Sequence, residues 1–194
     1  MKILKTVIGY GAIASLVLAP AAGFAASPEY NYVEASYVNS DVDGVDDGDG
    51  FGIAGSAEVG ENIFIFGEYS TVGFSGGVDF DVIRAGIGYK SAISGTTDVN
   101  LSAFFVNMEI DAGFFGGIDE DGFGLDASLR SMVSNEFEVN GGITYIDLGG
   151  AFDDETSIHF GGVYSFNPSF AVVGDIEFGD DITTFSIGGR FYFQ

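Results

Sequence analysis

A chain of 194 residues with 29 acids against 6 lysines and arginines has a formal charge of −23, which repels phosphate backbones and excludes nucleic acid as a partner. Its 15% aromatic and 46% hydrophobic content excludes a disordered chain, and its length suits one domain. Having no cysteine, it forms no disulfide and no thiolate metal site.

The first predicted element is a leader. Lys2 and Lys5 precede the apolar run "TVIGYGAIASLVLAPAAGFA", which ends on the small pair Gly23 and Ala25. This pattern predicts an export signal peptide over 1–25, cleaved after Ala25, and leaves a domain over 26–194. Gly9, Gly11 and Pro20 argue against a retained transmembrane helix. The mature chain then keeps four basic residues, Arg84, Lys90, Arg130 and Arg190, against all 29 acids.

Beyond the leader the hydrophobic period is two, the mark of strands. Ten alternating stretches are predicted near 30–39, 50–59, 62–71, 80–90, 98–108, 122–132, 136–146, 156–166, 169–178 and 183–193. Each is about the ~9–11 residues that a tilted strand needs to cross a bilayer. One parity is apolar throughout: Val33 and Tyr37, Ile63 and Ile65, Ile83 and Ile87, Leu101 and Phe105, through to Phe185, Ile187, Phe191 and Phe193. The other parity is mostly glycine, alanine and serine with scattered charge. It holds Arg84, Arg130 and Arg190, each placed near the middle of its strand, with Glu34, Glu58, Glu68, Asp126, Glu138, His159, Asp175 and Glu177. A water-facing sheet would carry many long charged side chains there; small residues and charges of both signs suit a confined interior. The apolar parity then faces lipid, and only a closed barrel presents strands to hydrocarbon without unpaired edges. A soluble exported β-sandwich is the alternative fold.

The connections support closure. Long segments, "DVDGVDDGDG", "VGFSGGVD", "EIDAGFFGGIDED" and "LGGAFDDE", alternate with short ones such as 60–61, 133–135 and 167–168. Short periplasmic turns and longer outer loops are the pattern of membrane barrels, which puts both termini at the periplasmic end. The expectation is an all-β, antiparallel, up-and-down transmembrane barrel of ten strands, with eight as the alternative count.

The alternation, the loop asymmetry and the ending "GGRFYF" resemble the small outer-membrane β-barrels of Gram-negative bacteria, the OmpA/OmpX-like barrel superfamily. The resemblance covers the whole mature chain. It implies localisation in the cell outer membrane, lipid and lipopolysaccharide as surroundings, and a final strand read by the barrel-assembly machinery through Phe191 and Phe193. Gln194 departs from that pattern, since such chains usually end on the aromatic itself. Tryptophan is absent, so tyrosine must serve the membrane interface; eight of the 9 tyrosines fall in the predicted strands.

Three candidate sites remain. The inward charges form either a salt-bridge network that fills the lumen or the lining of a narrow cation-preferring pore, with the interior glycines leaving space for the latter. Asp41, Asp43, Asp46, Asp47 and Asp49 offer oxygen ligands for a loosely held divalent cation, though their spacing is not that of an EF-hand loop. No defined metal or cofactor site follows from this pattern. His159 beside Asp153 and Asp154 would be the core of a rim hydrolase, but Gly161 stands where a barrel deacylase would want serine, and Ser157 lies on the wrong side. The function expected is therefore non-enzymatic: a monomeric structural or surface-interaction protein of the envelope with acidic outer loops.

Overall fold

The computed structural model describes residues 27–42, 44, 46–149 and 154–194; the predicted leader, Asp43 and Asp153 lie outside the described residues. Among the described residues ten strands form: β1 (Tyr32–Val42), β2 (Gly48–Glu58), β3 (Ile63–Phe74), β4 (Val78–Ala92), β5 (Thr97–Asp111), β6 (Gly117–Met132), β7 (Phe137–Asp147), β8 (Glu155–Asn167), β9 (Phe170–Phe178) and β10 (Ile182–Tyr192). Each pairs antiparallel with its sequence neighbours, and β1 closes on β10 from Tyr32↔Tyr192 to Val42↔Ile182. The sheet is a closed up-and-down barrel, and the eight-strand alternative is excluded. The one register shift falls between Ser165 and Asn167, where β8 meets β9.

The parity reading holds on every strand. Ile53, Leu101, Ile143, Phe160 and Ile187 are about half exposed, while Val106 and Val173 on the opposite parity are sealed inside. Exposed bulky apolar groups encircle the sheet, so the soluble sandwich is excluded too. From Phe185 to Phe193 the outward row takes eight steps, rising about 21 Å at ~3.4 Å per residue and a tilt of about 40°. That height approaches the ~25 Å apolar band of a membrane barrel.

The outward face also carries a ring that the strands build jointly. Each strand contributes one small residue, in order Ala35, Gly55, Gly67, Ala85, Ala103, Ala127, Gly141, Gly162, Gly174 and Gly189. Ala35 pairs directly with Gly189, Gly174 with Gly162, Gly67 with both Ala85 and Gly55. At the other junctions the ring steps two residues toward the outer end, as between Gly189 and Gly174. All steps run the same way, which is the stagger that a tilted barrel requires for a level band. Large apolar residues flank it above and below, so the ring marks the middle of the greasy belt.

The outer loops are shorter than the sequence suggests. β3, β4, β5 and β6 run on past the belt, and "EIDAGFFGGIDED" narrows to residues 112–116 around a 3-10 turn at Gly113–Phe115. The extension carries acids on the outward face, where water rather than lipid surrounds them; ladder hydrogen bonds continue because the backbone is indifferent to that change. Five tyrosines, Tyr37, Tyr69, Tyr89, Tyr145 and Tyr164, sit on the outward parity as an interface belt needs, but Tyr32 and Tyr192 point inward. Tyr30, expected to open the first strand, precedes it and is buried at 1% exposure.

Candidate functional site: the lumen

The interior is crossed by ion pairs at successive levels. Nearest the termini, Arg130 donates through Nε to Glu138 Oε1 at 2.6 Å and through Nη2 to Oε2 at 2.9 Å, a bidentate fork between nearly buried side chains. Arg190 holds Glu34 higher up, one residue below the ring at Gly189 and Ala35, with Nε and Nη2 2.9 and 2.8 Å from Oε2. Both arginines lie close to their strand ends, not at the middles, because β6 begins at Gly117 and β10 stops at Tyr192. Arg84 stands at mid-height. It lies 3.9 Å from Glu68 on the adjacent strand and 3.9 Å from Glu177 on β9, which is diametrically opposite. Above that level His159 Nε2 meets Asp126 Oδ2 at 2.9 Å, and Ser128 donates to Asp126 Oδ1 at 2.9 Å. Asp175 and Asn140 close over Gly161, where a Cβ would overlap both.

The end near the termini is plugged by the residue two places before β1, on its inward parity. Tyr30 turns into the barrel, its ring 4.3 Å from the Lys90 ammonium and 4.3 Å from the Arg130 guanidinium carbon. Phe64 packs 5.0 Å away, ring to ring. The Tyr30 hydroxyl donates to Asn100 Oδ1 at 2.7 Å and lies 3.2 Å from Asp98 Oδ2. Burial, the largest influence, pushes that hydroxyl's pKa well up, so it stays protonated and keeps donating. The flanking segment is tied down as well: Arg130 donates to the Glu29 carbonyl, the Glu58 amide to the Asn31 side chain, and the Phe193 amide to the Asn31 carbonyl. Tyr32, one alternation on, lies under the Arg190 guanidinium at 3.9 Å. Cations on aromatic faces at these distances are attractive, more so away from water.

Glu58 is in the network, but its partner is Lys90 and not an arginine. Lys90 shares the parity of Arg84, Gly86 and Gly88, and that parity was the signal for it. The interior glycines also behave differently from the expectation that they leave space. A Cβ on Gly88 would overlap the Phe64 ring, one on Gly124 the Phe104 ring, and one on Gly142 would fall 2.6 Å from His159 Nε2. Each glycine is a seat for a large neighbour. Phe104 joins Val82, Val106, Met108, Ile146 and Leu148 in a buried apolar cluster, with Phe66 and Phe80 against it. What remains open is a cavity of about 440 Å³, running from Tyr30 and Arg130 to Glu155 and Ile182 at the outer rim.

The histidine pairing departs from the hydrolase expectation. Asp154 accepts from the outward Tyr145 hydroxyl at 2.7 Å, whereas His159 points inward to Asp126. Of the acidic loop, Ser75 donates to Asp46 at 2.8 Å, and Asp41 and Asp49 lie on the outward parity of β1 and β2. Among the described residues no three acids or histidines gather as a cation site.

No family model matches the chain, and no curated protein matches its sequence. Among solved structures it is similar to the KdgM porin (TM-score 0.47, 8% identity, covering 83% of this chain and 99% of that one). It is similar also to Neisserial surface protein A (0.45, 14%, 84% and 96%) and to the N-terminal β-barrel domain of Pseudomonas aeruginosa OprF (0.44, 13%, 86% and 100%). These likenesses are of chain trace, to outer-membrane β-barrels at large rather than to the OmpA/OmpX-like superfamily in particular.

Proposed function

We propose that the chain is an exported, monomeric outer-membrane barrel, neither enzyme nor open pore, which serves the envelope as a structural or surface-interaction protein with an acidic outer rim. The plug at the inner mouth carries this reading: Tyr30, flanked by Lys90 and Arg130 and bonded to Asn100, fills the one end through which a periplasmic ion would enter. The cross-lumen pair of Arg84 and Glu177 narrows the passage again at mid-height. Against hydrolysis, the bonded partner of His159 is Asp126, and the neighbouring Ser128 and Thr144 hydroxyls are turned to that same carboxylate as donors and not to the ring. A nucleophile within reach of its base is the minimum such chemistry needs. The apolar belt supports residence in a bilayer with lipopolysaccharide around the outer rim, where divalent cations would bridge like charges. Phe191 and Phe193, outward at the end of β10, are available to the assembly machinery.

Planar-bilayer recording tests the central claim. The purified wild-type barrel gives no stable current, and Tyr30→Ala gives small cation-selective steps, because the residual lumen carries more acid than base. A steady cation-selective current from the wild type would overturn the sealed reading in favour of a narrow porin.

A further inference from the structure

The lumen's three arginines are not equally satisfied, and the difference points outward. Arg130 and Arg190 form short, charge-assisted bonds to one carboxylate each. Arg84 is held loosely, 3.9 Å from each of two acids, and its Nε is buried without any partner. A third acid, Glu155, lines the same outer half of the cavity and makes no hydrogen bond or ion pair among the described residues. Three carboxylates thus face one guanidinium, with lone pairs to spare. The opposite wall is of another kind: Phe80, Val82, Phe104 and Met108, from β4 and β5, present carbon to the same space. β4 stands across the barrel from β9, which carries Glu177, and β5 stands three strands from β8, which carries Glu155. A cavity with a greasy half and an undercompensated acidic half, reaching the outer rim and closed below by Tyr30, is built for one chemical class.

We infer that the outer lumen binds an amphipathic organic monocation, an ammonium or guanidinium head on an aromatic or aliphatic body. The head takes the Glu155 carboxylate and the remaining lone pairs of Glu177, whose Oε1 already accepts from Ser157 at 2.5 Å, and the body lies on Phe80 and Met108. A small inorganic cation lacks the second contact, and an uncharged analogue lacks the first. A ligand anion is disfavoured, because reaching Arg84 means approaching Glu68 and Glu177. The inference does not depend on the barrel being impermeable; binding and conductance are separate readouts.

The test uses the purified barrel in micelles, titrated calorimetrically against 2-phenylethylammonium, with empty micelles subtracted. Saturable binding is expected, at least tenfold tighter than that of 2-phenylethanol or of ammonium chloride. Glu155→Gln weakens it about tenfold and leaves 2-phenylethanol unaffected; Phe80→Ala weakens both organic probes alike. Heat-modified gel mobility confirms that both variants are folded, and both positions lie near the rim, away from the buried pairs. No saturable binding by the wild type, equal affinity for the neutral probe, or an unchanged affinity in Glu155→Gln overturns the inference.

Discussion

Replacing Glu138 by methionine would leave the Arg130 guanidinium inside the barrel without its bidentate partner. The two side chains are 4% and 11% exposed, so water cannot take over the lost bonds. Breaking a buried pair on one side costs about 3–5 kcal/mol, since the remaining charge is stranded in a poor solvent. Asp98 lies directly opposite Arg130 in the ladder, but it already neighbours the Tyr30 hydroxyl. Any rescue by Asp98 would pull the loss toward the lower end of that range. With a urea dependence of about 2 kcal/mol per molar, the unfolding midpoint in micelles drops by about 1.5–2.5 M. The double variant Arg130→Met, Glu138→Met removes both charges and keeps most of the volume; it should return to within about 1–2 kcal/mol of wild type. Far-UV circular dichroism across a urea series, for both singles and the double, gives the coupling energy directly. A Glu138→Met loss under about 1 kcal/mol, the size of an exposed pair, would mean that water reaches this level of the lumen. The sealing argument would then fail with it.

Two other changes read the wall itself. Ala127→Arg places a guanidinium on the small-residue ring at mid-belt and should cost about 2–4 kcal/mol in folding into bilayers, whereas Asp121→Arg on the same strand and face, at the outer end, should cost about 0–1. Equal costs would deny that the ring marks the bilayer's centre. Gly124→Ala drives a methyl into the Phe104 ring and should destabilise by about 1–3 kcal/mol, and Phe104→Leu in the same chain should recover part of it, both measured by the urea midpoint.

Strand number, order and facing were legible because one physical rule, a side-chain period of two against an apolar solvent, acts along the whole belt. "FSIGGRFYF" obeys it residue by residue. Beyond the belt both faces meet polar surroundings, so the alternation fades, and "EIDAGFFGGIDED" reads as loop although most of it is ladder. The apolar interior cluster was hidden for the opposite reason. "NIFIF" is hydrophobic on both parities, and only the register shows Phe64 seated over Gly88 and Phe66 beside Phe104. The charged residues of the lumen could be assigned to the interior by parity, Lys90 included, but not paired; Glu155 reads as the end of the loop "LGGAFDDE" and joins them only because β8 begins there. Pairing across a closed barrel, as between Arg84 and Glu177, depends on strand number and stagger together. Tyr30 shares the inward parity of Tyr32 and Glu34, so its facing was legible, but its role as a plug was not, because that role exists only where Lys90, Asn100 and Arg130 converge on it.

The outer tips of β4, β5 and β6 raise the last question, because the fold sets like charges against one another there. Asp79 stands directly opposite Asp111, Asp81 opposite Glu109, and Glu109 opposite Asp119, all on the outward face. Neutral groups help only in part: Tyr69 donates to Asp81, and Asn107 donates to both Asp119 and Asp121. All four basic residues among the described residues lie in the lumen, too far below to neutralise this edge. Each like-charged cross-strand pair is destabilising by a few tenths of a kcal/mol to about 1. Glu109→Lys turns two such pairs into opposite-charge pairs at once and should stabilise the barrel by about 1–2 kcal/mol at low salt, with Glu109→Gln giving about half. The gain should shrink steeply near 1 M salt, where the screening length falls to about 3 Å. Urea midpoints at two salt concentrations, in detergent free of divalent ions, measure it. If Glu109→Lys brought no gain at low salt, the repulsion would already be neutralised in the wild type, and these strand tips would have to be carrying cations of their own.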